Sequence, residues 1–212
     1  MDRKIFDTAD DSRKTNLDTN VQDNDNSVQK TVVMYLHDLV YLLTGIMLVL
    51  LLLVRVVIVS GPSMNATLVD GDYLLLISNV FYKTPQQGDV IVASKDAFKN
   101  GEPIIKRVIA TEGQTVDIDF NAGIVYVDGV ALDEPYTNTP TNLEEGIRFP
   151  VVVKEGCVFV MGDNRNSSKD SRNPEIGQID CREILGKAVF LIFPGNNGGA
   201  IKREFSRIGG VA

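Results

Sequence analysis

The sequence predicts a mainly β protein, an antiparallel β domain preceded by one transmembrane helix. The first observation is the run LVYLLTGIMLVLLLLVRVVIV, residues 39–59, whose only charged residue is Arg55. A stretch of about 20 apolar residues is long enough to cross the hydrocarbon core of a bilayer. The second observation is that the rest of the chain contains short apolar or alternating runs separated by Gly, Pro, Asp and Asn, which is typical of strands and turns.

The segment 1–34 is polar and rich in Asp and Asn, so it buries too little apolar surface to offset the entropy of ordering and is predicted to be a disordered tail. The transmembrane helix is predicted over residues 35–58, with the long side chain of Arg55 reaching the interface near its far end. A cleaved signal peptide, the main alternative, would have a shorter apolar region and small residues at a cut site. The length of the run also disfavours a buried core helix.

Residues 59–212 are predicted to form the β domain, since no long stretch has helical periodicity. In VYVDGVAL, the dipeptide Asp128-Gly129 suits the tight turn of a hairpin. The runs predicted as strands are DYLLLI, DVIVAS, IIKRVIA, GIVYVDGVAL, RFPVVVKE, GCVFVMGD and KAVFLIF.

Composition excludes several classes of function. The formal net charge is −7, which disfavours a nucleic-acid partner because phosphate binding requires clustered Lys and Arg. The single histidine, His37, lies at the other end of the membrane helix, so neither a Ser-His-Asp triad nor a Cys-His pair is available to the β domain. Zinc-ligand spacing and phosphate-binding loops are absent, and no metal or cofactor is predicted. A hydrolase built on this domain needs a lysine or a carboxylate as its base.

Two segments offer a nucleophile and such a base. Ser63 stands in VSGPSMNATL, directly after the apolar run and inside an apolar collar. Lys106 stands in EPIIKRVIA, where strand alternation places Ile104 and Val108 on its face. Desolvation on such a face disfavours the ammonium form and lowers the pKa of the lysine, which can then take a proton from a serine hydroxyl. The alternative is a strand-edge lysine that reaches solvent.

A third segment, VMGDNRNSSKDSR, residues 160–172, follows an apolar strand. Its density of Gly, Asp, Asn and Ser is typical of a solvated turn. As a functional loop it offers hydroxyls that could orient a lysine and an Asp170–Arg172 pair that could hold the loop rigid.

Together, and in this order, the segments resemble the type I signal peptidases, membrane-bound serine proteases of the Ser-Lys dyad class. The resemblance spans roughly residues 59–193, and a membrane helix directly before the serine segment is also the family arrangement. Each motif alone is weak, whereas all of them in order are highly specific. The matching stretches are SGPSMNATL, GDYLLL with PQQGDV, IIKRVIATEG, and MGDNRNSSKDSR followed by EILGKAVF.

The resemblance implies a role for each matching residue. Ser63 is the acylating nucleophile, Lys106 its general base, and Ser168 the hydroxyl that orients the lysine. The backbone N–H of Ser63 is one donor of the oxyanion hole. Asp170, Arg172 and Arg107 brace the site as an ion-pair network, and Val59, Met64, Leu68 and Ile105 form the substrate pocket.

The sequence departs from the family pattern at three places. Ala66 stands where the family usually has proline, and Gly61 stands where some members have a serine that supplies the second oxyanion donor. A glycine there is typical of the Gram-positive branch. The chain between the lysine and the final motif is short, which predicts a small cap insertion over roughly residues 115–150.

The implied function is removal of N-terminal signal peptides from exported pre-proteins that have small residues at positions −1 and −3. The implied placement is a single-pass membrane protein with a cytoplasmic N-terminus and an extracytoplasmic catalytic domain; the flanking charges alone barely favour this orientation. Two alternatives remain, a soluble self-cleaving SOS repressor with a related dyad and a membrane-anchored binding module. Whether Cys157 and Cys181 form a disulfide is left open.

Overall fold

The computed structural model describes residues 4–65, 67–95, 101–196 and 203–211, and for residues 4–28 the backbone alone. The chain divides after Leu51 into a helical unit and a second compact unit. The helix is α1, Lys4–Leu53. The strands are β1 Val54–Ile58, β2 Tyr73–Ser78, β3 Val90–Ala93, β4 Ile104–Thr111, β5 Thr115–Asp119, β6 Ile124–Val127, β7 Val130–Ala131, β8 Val151–Val152, β9 Cys157–Met161, β10 Ile179–Asp180, β11 Ile184–Phe193 and β12 Gly209–Gly210.

Helix α1 contains one segment, Gln29–Leu53, that is long and apolar enough to cross a membrane, with a mean hydropathy of 2.2 over its most apolar window. The helix differs from the predicted transmembrane segment, residues 35–58, at both ends. Its backbone is helical from Lys4, and the disorder predicted for residues 1–34 stays a prediction. The helix ends at Leu53 and not at residue 58, because the β-branched run Val54–Ile58 pairs with β2 along its whole length.

The larger sheet has eight strands in the order β1-β2-β11-β3-β4-β9-β10, with β12 paired to β11. The smaller sheet has the order β7-β6-β5-β8, and it lies in the region predicted as the cap. Every described strand pairing is antiparallel, as the sequence predicts. The predicted hairpin is confirmed: Asp128 and Gly129 both have positive φ between paired residues of β6 and β7, which is the geometry of a type I′ turn.

Three apolar clusters hold the sheets together. One packs the loop after β1 onto β2, β3 and β11, and a second packs β3 against β9 and β10. The third joins β4 and β9 of the larger sheet to β5 and β6 of the smaller one. Strand β4 lies between β3 and β9, so the residues on it are held from both sides and occupy fixed positions.

Candidate active site

Ser63 and Lys106 are brought together, although they are far apart in the sequence. Lys106 Nζ lies 2.7 Å from Ser63 Oγ and 3.0 Å from the carbonyl oxygen of Ile105. The side chain of Lys106 is only 4% exposed, so the alternative of a solvent-reaching lysine is wrong. A buried amine within hydrogen-bond distance of a hydroxyl is the arrangement that nucleophilic catalysis by serine requires when histidine is missing.

The loop that carries Ser63 is closed by backbone hydrogen bonds at its base. We call residues 59–65 and 67–72 the serine loop. The N–H of Val59 donates to the carbonyl of Asp72 (2.8 Å), and the N–H of Gly71 donates back to the carbonyl of Val59 (2.9 Å). Gly71 has φ +82°, a backbone conformation that residues with a side chain rarely adopt. The loop is thus a fixed platform and not a mobile connection.

Asn164, a residue that the sequence interpretation missed, fixes the backbone on both sides of the candidate nucleophile. Its N–H donates to the carbonyl of Ser63 (3.0 Å), and its side-chain amide donates to the carbonyl of Pro62 (3.1 Å). The N–H of Gly61 is occupied by Asp70 Oδ1 (2.8 Å) and is unavailable to a substrate oxygen. The N–H of Ser63, the expected oxyanion donor, has no acceptor within the described part of the chain.

The predicted pair between Asp170 and Arg172 is present. Arg172 Nε and Nη2 donate to the two carboxylate oxygens of Asp170, each at 2.8 Å, and both side chains are fully buried. Asp170 Oδ2 also accepts from the N–H of Gly162 (3.0 Å), and Arg172 Nη2 donates to the carbonyl of Arg165 (2.7 Å). A bidentate pair with these extra bonds holds the loop 160–172 in one conformation.

Arg107, the third predicted bracing residue, pairs with Asp163, which the sequence interpretation did not name. Arg107 Nε and Nη2 donate to the two oxygens of Asp163, at 2.9 and 2.8 Å, and both residues are buried. Asp163 Oδ2 accepts in addition from the hydroxyl of Thr67 on the serine loop (2.5 Å). Two buried guanidinium–carboxylate pairs, Arg107–Asp163 and Arg172–Asp170, therefore support the site. Asp163 lies in the same GDN run as the predicted loop residues, but the sequence does not reveal which arginine each carboxylate selects.

Ser168 lies in the site, but no hydrogen bond joins it to the lysine. Its side chain is 5% exposed, and its hydroxyl has no hydrogen-bond partner among the described residues. A methyl group added at Gly162 would clash with both Ser168 Oγ and the carbonyl oxygen of Ser63, which places these two groups side by side. The orienting role of Ser168 stays a prediction.

A cavity of about 380 Å³ opens beside Ser63 and Lys106. Three of the four predicted pocket residues, Val59, Met64 and Ile105, line it. The fourth, Leu68, is 1% exposed and packs in the apolar cluster beneath the serine loop, because its side chain is needed to anchor that loop. The lining that the sequence interpretation missed comprises Val57, Ile58, Ser60, Gly61, Pro62, Glu102, Pro103, Ile104 and Lys169.

A third buried arginine, Arg165, which the sequence interpretation missed, connects the final motif to the segment after β7. Arg165 Nη1 and Nη2 donate to the two oxygens of Glu134, at 2.8 and 2.5 Å. Burial alone would lower the pKa of Arg165, but its hydrogen bonds with Glu134 raise it. The ring of Tyr136 stacks under the guanidinium of Arg107 at 4.0 Å, and burial followed by the charge of Glu134 raises the pKa of that phenol. Because Arg107 is next to Lys106 on β4, its contact with Tyr136 also helps to hold β4 in place.

The described residues include neither a cluster of potential metal ligands nor a disulfide. Among the residues that the structure describes, no group of three or more His, Cys, Asp or Glu side chains is placed to hold a metal ion. Cys157 and Cys181 are free thiols, and they pack against different apolar clusters. Both thiols are unpaired in this structure, although they are close in the sheet, where Asp180, the residue before Cys181, pairs with Cys157.

The ionisation of Glu145 is expected to lower the free energy of unfolding as pH rises. Burial and the charge of Asp170 raise the pKa of Glu145 above its ordinary value, and Arg172, 3.3 Å away, only partly opposes them. The folded state therefore binds this proton more tightly than the unfolded state, and that stability is lost as pH rises through the raised pKa. Glu145→Gln should unfold at a higher temperature than the native protein near neutral pH and show a smaller decline in midpoint with pH.

The matched control for this prediction is Glu144→Gln, which neutralises the exposed neighbour. Its midpoint should follow the native protein at each pH, because an exposed carboxylate loses little solvation on folding. The unfolding midpoints of the three proteins are measured at a series of pH values that starts at about pH 4, just below the usual pKa of Glu, and are plotted against pH. If the midpoints of the native protein and of Glu145→Gln changed with pH in parallel, the raised pKa of Glu145 would be contradicted.

The chain was compared with known proteins. The family model described as "Signal peptidase, peptidase S26" matches residues 31–193. The "Probable signal peptidase I-1" of Synechocystis sp. is 39% identical over 167 residues, which cover 73% of this chain and 81% of that protein. "Signal peptidase I" of Bacillus licheniformis is 35% identical over 164 residues, covering 71% and 86%. The crystal structure of a signal peptidase I from Enterococcus faecalis is 31% identical, with a TM-score of 0.41 and coverage of 50% and 97%.

Proposed function

The chain belongs to the signal peptidase family, peptidase S26, and we propose that it is a membrane-bound serine endopeptidase that uses Ser63 as nucleophile and Lys106 as general base. Its proposed substrates are exported pre-proteins, from which it removes the N-terminal signal peptide. The observation that carries the proposal is the 2.7 Å separation of Lys106 Nζ from Ser63 Oγ in a buried setting. The hydroxyl of Thr67 also lies close to a buried base, 2.5 Å from Asp163, but that carboxylate is already paired with Arg107.

The proposed reaction begins with a neutral Lys106. Its amine takes the proton of the Ser63 hydroxyl while Oγ attacks the carbonyl carbon of the scissile peptide bond. The negative charge that develops on the carbonyl oxygen is stabilised by the N–H of Ser63, which has no acceptor among the described residues. Collapse of the tetrahedral intermediate breaks the C–N bond, and Lys106 returns the proton to the amine of the departing mature protein.

The second half of the proposed reaction repeats these steps with water. Lys106, neutral again, takes a proton from a water molecule that attacks the ester carbonyl of the acylated Ser63. The second tetrahedral intermediate collapses, the proton passes to Ser63 Oγ, and the signal peptide leaves with a free carboxylate. The bonds of Asn164 to the carbonyls of Pro62 and Ser63 would keep the loop still through both halves.

A lipid bilayer is the proposed second partner. One support is the segment Gln29–Leu53, which is long and apolar enough to span a bilayer. A second support is an exposed apolar surface on the outer strands of the larger sheet, where directly paired residues share a face. Such contiguous apolar patches are rare on soluble monomers. The surface comprises Val56, Ile58, Tyr73, Leu75 and Phe190.

The proposed orientation places the N-terminus in the cytoplasm and the β domain on the extracytoplasmic side. Exported pre-proteins carry a hydrophobic segment of their own, and the scissile bond follows it. The catalytic domain must therefore lie on the side to which the pre-protein is exported. A protease added to sealed vesicles tests this placement, because only an outward-facing domain is accessible to it.

Cleavage should follow Ala-x-Ala sequences. In an extended substrate, alternate side chains point the same way, so positions −1 and −3 would together enter the cavity beside Ser63, whose lining is mainly apolar. A charge buried there without a partner is costly, and selection by size is otherwise about 1–3 kcal/mol per methylene. The full chain in vesicles should therefore cleave a pre-protein with Ala at −1, and Lys or Phe at −1 should lower kcat/KM strongly.

The matched control changes position −2, whose side chain points away from the cavity. Large residues there should be tolerated, and N-terminal sequencing of the product should report the same cut site. A soluble peptide that has the same cut site but lacks the hydrophobic segment should be a much poorer substrate, because membrane placement supplies part of the selection. Efficient cleavage after Lys or Phe at −1 would overturn the assigned pocket.

A further inference from the structure

Arg207 reaches the serine loop from a part of the chain outside the family match, which ends at residue 193. Arg207 Nη1 and Nη2 donate to the two oxygens of Asp72, at 3.0 and 2.6 Å. Arg207 Nη2 also lies 3.3 Å from the carbonyl oxygen of Thr67, to which it donates. The segment 203–211 is held in place by β12, which pairs with β11, and by Val211, which packs against the apolar cluster under the serine loop.

Asp72 is a fully buried carboxylate that fastens the base of the serine loop. Its Oδ2 accepts from the N–H of Val69 (2.8 Å), and its Oδ1 accepts from the N–H of Gly195 (2.7 Å). With the two bonds from Arg207, the carboxylate has four donors. Arg207 is the group that supplies a full countercharge, because the other two donors are neutral amides.

The serine loop is held at Thr67 by two ion pairs. The hydroxyl of Thr67 donates to Asp163, which is paired with Arg107, and the carbonyl of Thr67 accepts from Arg207, which is paired with Asp72. The first anchor comes from β4 and the final motif. The second comes from the segment 203–211, far away in the sequence.

We propose that Arg207 is a positioning residue for catalysis, which holds the serine loop through Asp72 and Thr67 so that Ser63 Oγ stays within reach of Lys106. The inference rests on the proposed function of the Ser63–Lys106 pair. Removing Arg207 leaves a buried carboxylate whose remaining donors are neutral, and such a charge draws in water or shifts toward the surface. The loop moves with it, and a displacement of about 1 Å at a reacting atom can lower the rate about 10²-fold.

The test compares Arg207→Ala with Arg203→Ala, the same substitution at an exposed arginine of the same segment. Cleavage of a pre-protein is measured at a temperature at which all variants are folded. Arg207→Ala should lower kcat at least about tenfold with little change in KM, and Arg207→Lys should recover part of the loss. Arg203→Ala should match the native protein. The double variant Arg207→Ala, Asp72→Asn should have a kcat close to that of the slower single variant, because the two residues act as one unit.

Hydrogen exchange of the backbone amides, followed by mass spectrometry, separates positioning from plain stability and does not depend on cleavage. Arg207→Ala should raise exchange in peptides that cover residues 59–72, and Arg203→Ala should leave it unchanged. A lower unfolding midpoint with native kcat and native exchange in those peptides would overturn the inference. If the native protein fails to cleave pre-proteins, the proposed function fails, whereas unchanged exchange in Arg207→Ala refutes the anchor itself.

Discussion

Replacing either Ser63 or Lys106 with alanine is expected to abolish cleavage of pre-proteins while the protein stays folded. The two side chains are 2.7 Å apart and act on the same proton, so neither substitution leaves a working half-site. Losses in kcat on the order of 10⁴ or more are expected for each variant. The double variant should be no slower than the single ones, because residues that act as a unit are not additive. Steady-state cleavage of a pre-protein by purified full-length variants measures these rates.

Matched substitutions separate chemistry from folding. Lys187→Ala removes a lysine from the same sheet, where it is paired with Asp89, and Ser167→Ala removes an exposed serine of the final motif. Both should keep kcat within a few-fold of the native value, although Lys187→Ala loses an ion pair of modest worth. Near-native turnover by Lys106→Ala would refute the lysine as general base.

Gly162→Ala is expected to have the second largest effect on activity. A Cβ at this position would clash with the carbonyl oxygen of Ser63 and with Ser168 Oγ. The carbonyl of Ser63 is fixed by Asn164, so the added methyl group would push the nucleophile away from its base. Because about 1 Å of misplacement suffices, kcat should fall about 10²-fold or more.

Gly209→Ala is the control, because a Cβ there meets no atom within 4 Å and the backbone conformation is open to alanine. That variant should keep native kcat and a native unfolding midpoint. Circular dichroism of Gly162→Ala should retain the β signal, since the clash is local to the site. A Gly162→Ala protein with native turnover would show that the serine loop adapts freely, contrary to the anchors described above.

Features of the fold that depend only on residues adjacent in the sequence were predictable. The apolar neighbours of Lys106 left a buried and a solvent-reaching lysine both open, and the structure buries it, whereas Asp128-Gly129 correctly predicted a tight hairpin turn. The end of α1 was not predictable in this way. The run Val54–Ile58 is apolar and β-branched, and it suits both a membrane helix and a strand. Its pairing with β2 decides between them, and that partner lies beyond the serine loop.

The proximity of Ser63 and Lys106 was predictable from the ordered motifs, whereas the contacts that support the two residues were not. The run GDNRNSSKDSR contains two carboxylates and two arginines, and local sequence does not reveal that Arg107 selects Asp163 while Arg172 selects Asp170. Leu68 was assigned to the pocket from the family resemblance, but it packs in the core and does not line the cavity beside Ser63. Contacts between distant segments, like these, follow from the tertiary path of the chain.

The most direct test of the Ser63–Lys106 mechanism is to locate the acyl-enzyme. A pre-protein is mixed with the full-length protein, the reaction is quenched with acid within one turnover, and the protein is digested and analysed by mass spectrometry. The mechanism predicts a peptide containing Ser63 whose mass is increased by that of the C-terminal fragment of the signal peptide that survives digestion, less one water. The adduct should be missing from Ser63→Ala and strongly reduced in Lys106→Ala. An adduct on another residue, or cleavage that proceeds in Ser63→Ala, would contradict the assignment of the nucleophile.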